Sequence, residues 1–178
     1  MKRVVLTGPE STGKTTLARR LAEHYGTVWV PEYARTYVDE KLHGDLGALS
    51  AADVDPIARG QIAAEEAGAQ GAERLLVLDT DLVSTAVYAA HYYGRCPDWI
   101  DLAATARVAD LYLLMDIDVP WIADAQRDRP HARALLHSQF CEALAQRGAR
   151  VVEIAGSWDE RYRRAIAAVD ALYLVRTI

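Results

Sequence analysis

What the chain has little of narrows its identity first. Only two cysteines occur in 178 residues. Cys96 and Cys141 lie far apart and offer neither a disulfide framework nor a paired metal-ligand spacing, so both are expected as reduced packing residues. No apolar run approaches the ~18 residues needed to span a bilayer, and Met1-Lys2-Arg3 leads straight into a short strand instead of a signal-peptide core. A cytoplasmic protein with no membrane partner is therefore expected. Repeats, low-complexity tracts and Pro/Gly/Ser-rich linkers are all missing, which gives no reason to divide 1–178 into two domains. The formal charge of −5 lacks the basic excess that general nucleic-acid binding needs.

What is present fits one well-cored domain, with 51% hydrophobic positions. Apolar bursts alternate with helical patterns. A strand at Arg3–Thr7 runs into a Gly-rich turn and a helix from about Lys14 to Tyr25, then a second strand at Val28–Val30. A helix over Glu32–Leu42, a loop over His43–Ala52 and a helix capped by Asp53 and ending near Gly71 lead to a third strand, Leu75–Leu78, closed by Asp79. Helices over Leu82–Tyr93 and Asp98–Val108 precede a fourth strand, Leu111–Met115. A short helix over Trp121–Arg129 and a longer one over Ala132–Gln146, closed by Gly148, precede a fifth strand at Val151–Ile154. A last helix covers Asp159–Leu174. Strands separated by helices imply right-handed crossovers and a parallel sheet covered on both faces, an α/β three-layer sandwich whose ligands bind beyond the strand C-termini.

Gly8-Pro9-Glu10-Ser11-Thr12-Gly13-Lys14-Thr15 satisfies G-x-x-x-x-G-K-[ST] at every fixed position, directly after a strand and before a helix. Two glycines let the backbone turn tightly around a polyphosphate, and successive N–H groups at the helix start form an anion-sized concavity. Lys14 should reach the β- and γ-phosphates and Thr15 should ligate Mg²⁺. The nucleotide-binding set is thus Gly8, Glu10, Ser11, Thr12, Gly13, Lys14, Thr15 and Thr16, with ATP and Mg²⁺ as cofactors.

Asp79 ends a buried strand, the position from which a carboxylate reaches the metal. Asp81 and Glu32 lie at the same sheet edge, where three acids could share metal binding, hydroxyl deprotonation and acceptor recognition. Asp81 reads equally as the N-cap of the helix from Leu82. Glu32 is the better candidate for the base, because it stands across from the loop and off the metal strand.

Arginines gather at Arg127, Arg129 and Arg133, and again at Arg161, Arg163 and Arg164, which suits a local phosphate site inside an acidic protein. The first group follows strand four, where a lid around 119–135 would bring Arg127 to the transferring phosphoryl and exclude water. Asp124, one turn earlier, could orient it. Gly156-Ser157-Trp158 follows strand five, where backbone groups, with Ser157 in the nucleotide-binding set, would meet the edge of the base, or where the turn simply caps the last helix. Tyr88, Tyr92, Tyr93 and Trp99 are core aromatics by spacing, with one of them available to stack on an acceptor ring. The five histidines are scattered and none is assigned a catalytic part.

Together these residues resemble the NadR-type ribosylnicotinamide kinase domain over most of the chain. The likeness rests on the phosphate loop, Glu32-Tyr33-Ala34-Arg35, Ile57-Ala58-Arg59-Gly60-Gln61, Asp79-Thr80-Asp81, Trp121 with Asp124 and Arg127, and Glu160-Arg161-Tyr162. It implies a P-loop NTPase fold of the nucleoside/nucleotide-kinase kind with a five-stranded sheet ordered 2-3-1-4-5. The implied activity is ATP- and Mg²⁺-dependent phosphorylation of nicotinamide riboside to the mononucleotide. Glu32, Tyr33, Arg35, Asp79 and Asp81 would line the acceptor side, Arg127 would act from the lid, and a ring such as Trp29, Tyr33, Tyr88 or Trp99 would stack on the nicotinamide. Proteins of this type also carry DNA-binding and adenylyltransferase regions, for which 178 residues leave no room. Two other readings stand beside it: a deoxynucleoside or nucleoside-monophosphate kinase, and a regulatory P-loop ATPase that binds a protein partner.

Overall fold

The computed structural model describes residues 1–43, 49–120 and 132–174. Five strands, β1 (Lys2–Thr7), β2 (Val28–Val30), β3 (Leu75–Asp79), β4 (Leu111–Met115) and β5 (Val151–Ile154), form one parallel sheet ordered β2-β3-β1-β4-β5. The order expected from the family resemblance is the order observed. Among the described residues, helices α1 (Lys14–Tyr25), α2 (Tyr33–His43), α3 (Val54–Gln70), α4 (Leu82–Tyr93), α5 (Asp98–Ala106) and α6 (Arg133–Gln146) lie between strands, and α7 (Trp158–Leu174) follows β5. The short helix expected over 121–129, with Trp121, Asp124, Arg127 and Arg129, lies outside the described residues.

Alternation along each strand divides the core into two layers, because successive side chains of a strand point to opposite faces. Val4 and Leu6 of β1, Val77 of β3 and Leu111 and Leu113 of β4 pack with Leu17 and Leu21 of α1 and Val169 of α7. Val5, Leu76, Leu78 and Leu114 pack on the other face with Val83, Ile100 and Phe140 of α4, α5 and α6. β3 and β4 are apolar but for Asp79 and the Tyr112 hydroxyl, and β1 is buried from Val4 onward, as central strands covered on both faces must be. Their C-terminal ends bring Thr7, Asp79 and Met115 to one edge of the sheet.

Helix α3 begins one residue later than its expected cap. Ala51–Asp53 forms a 3₁₀ turn in which Ser50 and Asp53 make a reciprocal capping box. Asp53 also accepts from Tyr37 at 2.8 Å and Lys41 at 2.7 Å, tying α2 to the start of α3. Burial works against its charge, but these donors prevail and hold the carboxyl well below its ordinary range.

Between β3 and α4 the chain reverses sharply. Thr80 takes a left-handed conformation, φ 69°, that a β-branched residue rarely adopts. Its amide donates to the Leu6 carbonyl at 2.9 Å, and its carbonyl receives the Gln61 amide at 3.3 Å. Helix α4 therefore starts under the sheet end at Asp81, beside Tyr112 of β4. It runs back toward the phosphate loop, where the Tyr92 hydroxyl meets Glu10 at 3.4 Å.

Candidate active site

The turn from β1 to α1 is shaped by three residues with positive φ: Gly8 at 122°, Ser11 at 57° and Gly13 at 85°. A side chain on Gly8 would press on the Met115 carbonyl, and one on Gly13 would collide with the Trp158 indole. No side chain caps α1. Its first N–H groups are left for an anion, which the helix dipole also favours.

Lys14 is buried, and its ammonium donates to the carbonyls of Gly8 at 2.9 Å and Pro9 at 2.8 Å. Burial pulls its pKa down, while the charges of Glu32, Asp79 and Glu10 oppose that pull. The loop thus supplies temporary acceptors to a cation that lacks a strong anionic partner. The Thr12 hydroxyl bonds the Pro9 carbonyl at 2.8 Å and closes the loop from within. Thr16 faces solvent.

Thr15 and Asp79 meet across the sheet edge, the hydroxyl donating to Asp79 Oδ2 at 2.6 Å. Asp79 Oδ1 is buried with no hydrogen-bond partner among the described residues. Burial and the nearby Glu32 push the Asp79 carboxyl up to about 6, against an ordinary value of 3.8. A buried oxygen without a donor, next to a hydroxyl and a second carboxylate, is a costly arrangement in the empty protein. Hard divalent cations take such oxygen donors, so the set fits Mg²⁺.

Glu32 follows β2 and is held by Arg35 one helical turn on, Nε to Oε2 at 3.0 Å. Its charge and that of Arg35 both act on Lys14 and Asp79, which places the Glu32–Arg35 pair beside the phosphate loop. The Tyr33 ring lies flat against Gly60, where any side chain would fall inside it. The Tyr33 amide donates to Gln61 Oε1 at 3.1 Å. Gln61 also donates to Glu65 at 3.2 Å and to the Thr80 carbonyl, so one buried amide ties the Glu32–Tyr33 wall to the residue after Asp79. Tyr88 of α4 feels the charges of Glu10 and Glu32 and stands at the same edge.

Three expected site residues are placed otherwise. Asp81 is the N-cap of α4: Oδ1 accepts from the amides of Val83 at 3.0 Å and Ser84 at 3.4 Å, and Oδ2 accepts from the Tyr112 hydroxyl at 2.6 Å. Both oxygens are engaged inside the protein, 3% exposed, so the capping alternative describes it and an acceptor-lining place does not. The Ser157 hydroxyl donates to the Glu160 carboxylate at 2.7 Å and accepts from the Glu160 amide at 3.4 Å, capping α7. The Trp99 indole donates to Asp55 at 2.9 Å, with Arg59 4.6 Å from its ring centre, so it joins α5 to α3. Arg127 lies outside the described residues.

The arginine run of α7 divides. Arg163 and Arg164 are exposed, whereas Arg161 is fully buried beneath the phosphate loop, where it meets main-chain carbonyls and not open solvent. Residue spacing alone carries no sign of this, because burial of one arginine among three depends on which helix face meets the loop. Gln61 was visible only as part of the family likeness.

A phosphate loop on a 2-3-1-4-5 parallel sheet, with a buried acid at the end of the neighbouring strand, defines a P-loop nucleotide-binding protein. The chain belongs to the AAA domain family, whose pattern matches residues 3–161. It is 30% identical over 175 residues to the trifunctional NAD biosynthesis/regulator protein NadR of Salmonella typhimurium, covering 97% of this chain and 43% of that one. The Escherichia coli NadR is 31% identical over 172 residues, covering 95% and 42%. The chain therefore spans less than half the length of these relatives. A crystal structure of NadR in complex with NR superposes with a TM-score of 0.84 at 28% identity, over 99% of this chain and 53% of that one. Another, with NAD and AMP-PNP, gives 0.79 at 28% identity, over 99% and 51%. Thymidylate kinase from Ehrlichia chaffeensis shares the fold, with a TM-score of 0.65 at 16% identity over 96% of this chain and 98% of that one.

Proposed function

We propose that the chain is an ATP-dependent kinase that phosphorylates a nucleoside-like hydroxyl, with nicotinamide riboside as acceptor and nicotinamide mononucleotide as product. The observation that carries this reading is the opposition of two walls at one sheet edge. Lys14, Thr15 and Asp79 form a polar corner with one unpartnered buried oxygen, and the Glu32–Arg35 pair lies near enough for its charges to act on Lys14 and Asp79. The match to NadR bound to NR over nearly the whole chain supports the choice of acceptor.

In this reading Lys14 leaves the carbonyls of Gly8 and Pro9 for the β- and γ-phosphates, and the α1 amides hold the remaining phosphate oxygens. Thr15 and Asp79 hold Mg²⁺, which when bound neutralises charge on the phosphates. Glu32, oriented by Arg35, accepts the proton of the acceptor hydroxyl as that oxygen bonds the γ-phosphorus, while the bond from the γ-phosphorus to the bridging oxygen breaks and ADP leaves. Tyr33 and Tyr88 flank the acceptor. The segment 119–135 acts as the lid, with Arg127 as its cation, on a single domain. Arg133, at the α6 start, donates to the Val119 carbonyl at 2.9 Å, so the two ends of that segment are pinned together. Among the described residues no helix is long and apolar enough to cross a membrane, in keeping with a cytoplasmic enzyme of small molecules.

ADP release measured with nicotinamide riboside, a panel of nucleosides and deoxynucleosides, thymidine monophosphate and no acceptor tests the proposal. Release should depend on acceptor and be fastest with nicotinamide riboside. A preference for a deoxynucleoside or a monophosphate would move the acceptor assignment, and equal release in every well would remove the kinase reading.

A further inference from the structure

Arg161 is the largest side chain fully withdrawn from solvent, 0% exposed, yet it lies against the most functional part of the molecule. A buried guanidinium is expensive unless its donors are met. Here they are met by three separate chain segments. Nε donates to the Gly156 carbonyl at 2.9 Å, after β5. Nη1 donates to the Thr12 carbonyl at 3.3 Å, in the phosphate loop. Nη2 donates to the Asp116 carbonyl at 3.2 Å and to the Asp118 carboxylate, after β4. Asp118 in turn accepts the Gly156 amide at 2.6 Å, closing a ring of contacts. These contacts engage four of the five N–H groups of the guanidinium.

We propose that Arg161 is a positioning residue for the nucleotide, fixing the Thr12–Gly13 peptide of the phosphate loop and joining it to the segment that leaves β4. In a trans peptide the carbonyl and the following N–H point in opposite directions, and no cis bond occurs among the described residues. Holding the Thr12 carbonyl on Arg161 therefore aims the Gly13 N–H away from α7, into the concavity of the loop. Gly13 is at φ 85° and lies against the Trp158 indole, which itself sits 5.5 Å from the guanidinium. The peptide is thus held by two side chains of α7, one through a hydrogen bond and one through ring contact. A glycine-flanked peptide without these restraints flips easily, and each flip removes one phosphate donor. The same guanidinium grips Asp116 and Asp118, four and two residues before 120, so a change at the base of that segment reaches the loop through a single planar group.

This inference rests on the nucleotide-site reading above, and its deciding measurement, nucleotide binding, needs no acceptor. Binding of Mg²⁺·ATP is measured by calorimetry for the wild type, Arg161→Lys and Asp118→Asn, with thermal unfolding of each. An ammonium keeps the charge but cannot bridge three segments. Arg161→Lys should weaken nucleotide binding by about 10- to 100-fold, the size of one or two lost hydrogen bonds to a charged group. Asp118→Asn should weaken it by a smaller factor, and in both variants the KM for acceptor should hold while the KM for ATP rises. Lower thermal stability with wild-type ATP affinity in both variants would make Arg161 a purely structural residue and overturn the proposal. Should Arg161→Lys fail to fold, Asp118→Asn decides by the same criterion. A wild-type protein without ATP affinity removes the site reading and this inference with it.

Discussion

Asp79 and Asp81 stand two residues apart at the end of one strand, and both are buried, yet they are provided for in opposite ways. Asp81 has donors for both oxygens: two helix amides and the Tyr112 hydroxyl. Asp79 has one donor, Thr15, and an oxygen left bare. The left-handed turn at Thr80 separates them, sending Asp81 under the sheet and leaving Asp79 at its open edge. Burial raises the pKa of both acids, so the shift alone does not distinguish site from scaffold. Completeness of hydrogen bonding does: a satisfied acid holds the fold, and an unsatisfied one waits for a ligand.

The comparison is broken most severely at the unsatisfied corner. Lys14→Ala should lower kcat by roughly 10³-fold or more, since charge stabilisation and positioning carry nearly all of phosphoryl transfer; steady-state kinetics at saturating ATP checks this. Asp79→Asn should cost about 10²- to 10³-fold in turnover while raising the melting temperature. Ionising Asp79 in the folded protein is unfavourable relative to the unfolded chain. That cost develops as pH rises from the ordinary 3.8 to about 6 and is complete at neutrality. The amide removes it, so thermal scans at pH 7.5 and pH 5 should show a stabilisation that shrinks at the lower pH.

Glu32→Gln should reduce kcat by about 10²-fold with a smaller effect on ATP affinity, the ranking expected of a base on the acceptor side. The reverse ranking, read from calorimetry beside kinetics, would move the base elsewhere. At the satisfied acid the effect should appear in stability. Asp81→Ala removes a helix cap and strands the buried Tyr112 hydroxyl, costing about 1–3 kcal/mol in denaturant unfolding, with KM for ATP close to wild type in the folded fraction. The smallest effect is on pH dependence. Mg²⁺ needs the ionised carboxylate, so nucleotide-dependent activity should fall only a few-fold as pH drops through about 6.

How far the sequence could be read follows the same division. The phosphate loop was legible because its chemistry fixes both letters and spacing, and Asp79 because an apolar strand ending in an acid has few other uses. Strand alternation and helical periodicity gave the layers, while the strand order came through the family likeness, since local pattern does not say which strands are neighbours. Asp81 and Ser157 stayed ambiguous because a helix cap and a ligand contact ask for the same short polar side chains. Trp99 looked available for stacking because its partner, Asp55, is 44 residues away. Arg161 was marked only within Glu160-Arg161-Tyr162 of the family likeness, and its burial stayed hidden, since only the packing of α7 under the loop separates a buried bridge from the exposed Arg163 and Arg164.

Transfer of labelled γ-phosphoryl from ATP is the most direct test of the whole account. With purified protein, Mg²⁺ and nicotinamide riboside, the label should appear in a mononucleotide, and little should appear as inorganic phosphate whether or not acceptor is present. Label released only to water, at a rate indifferent to any acceptor, would contradict it.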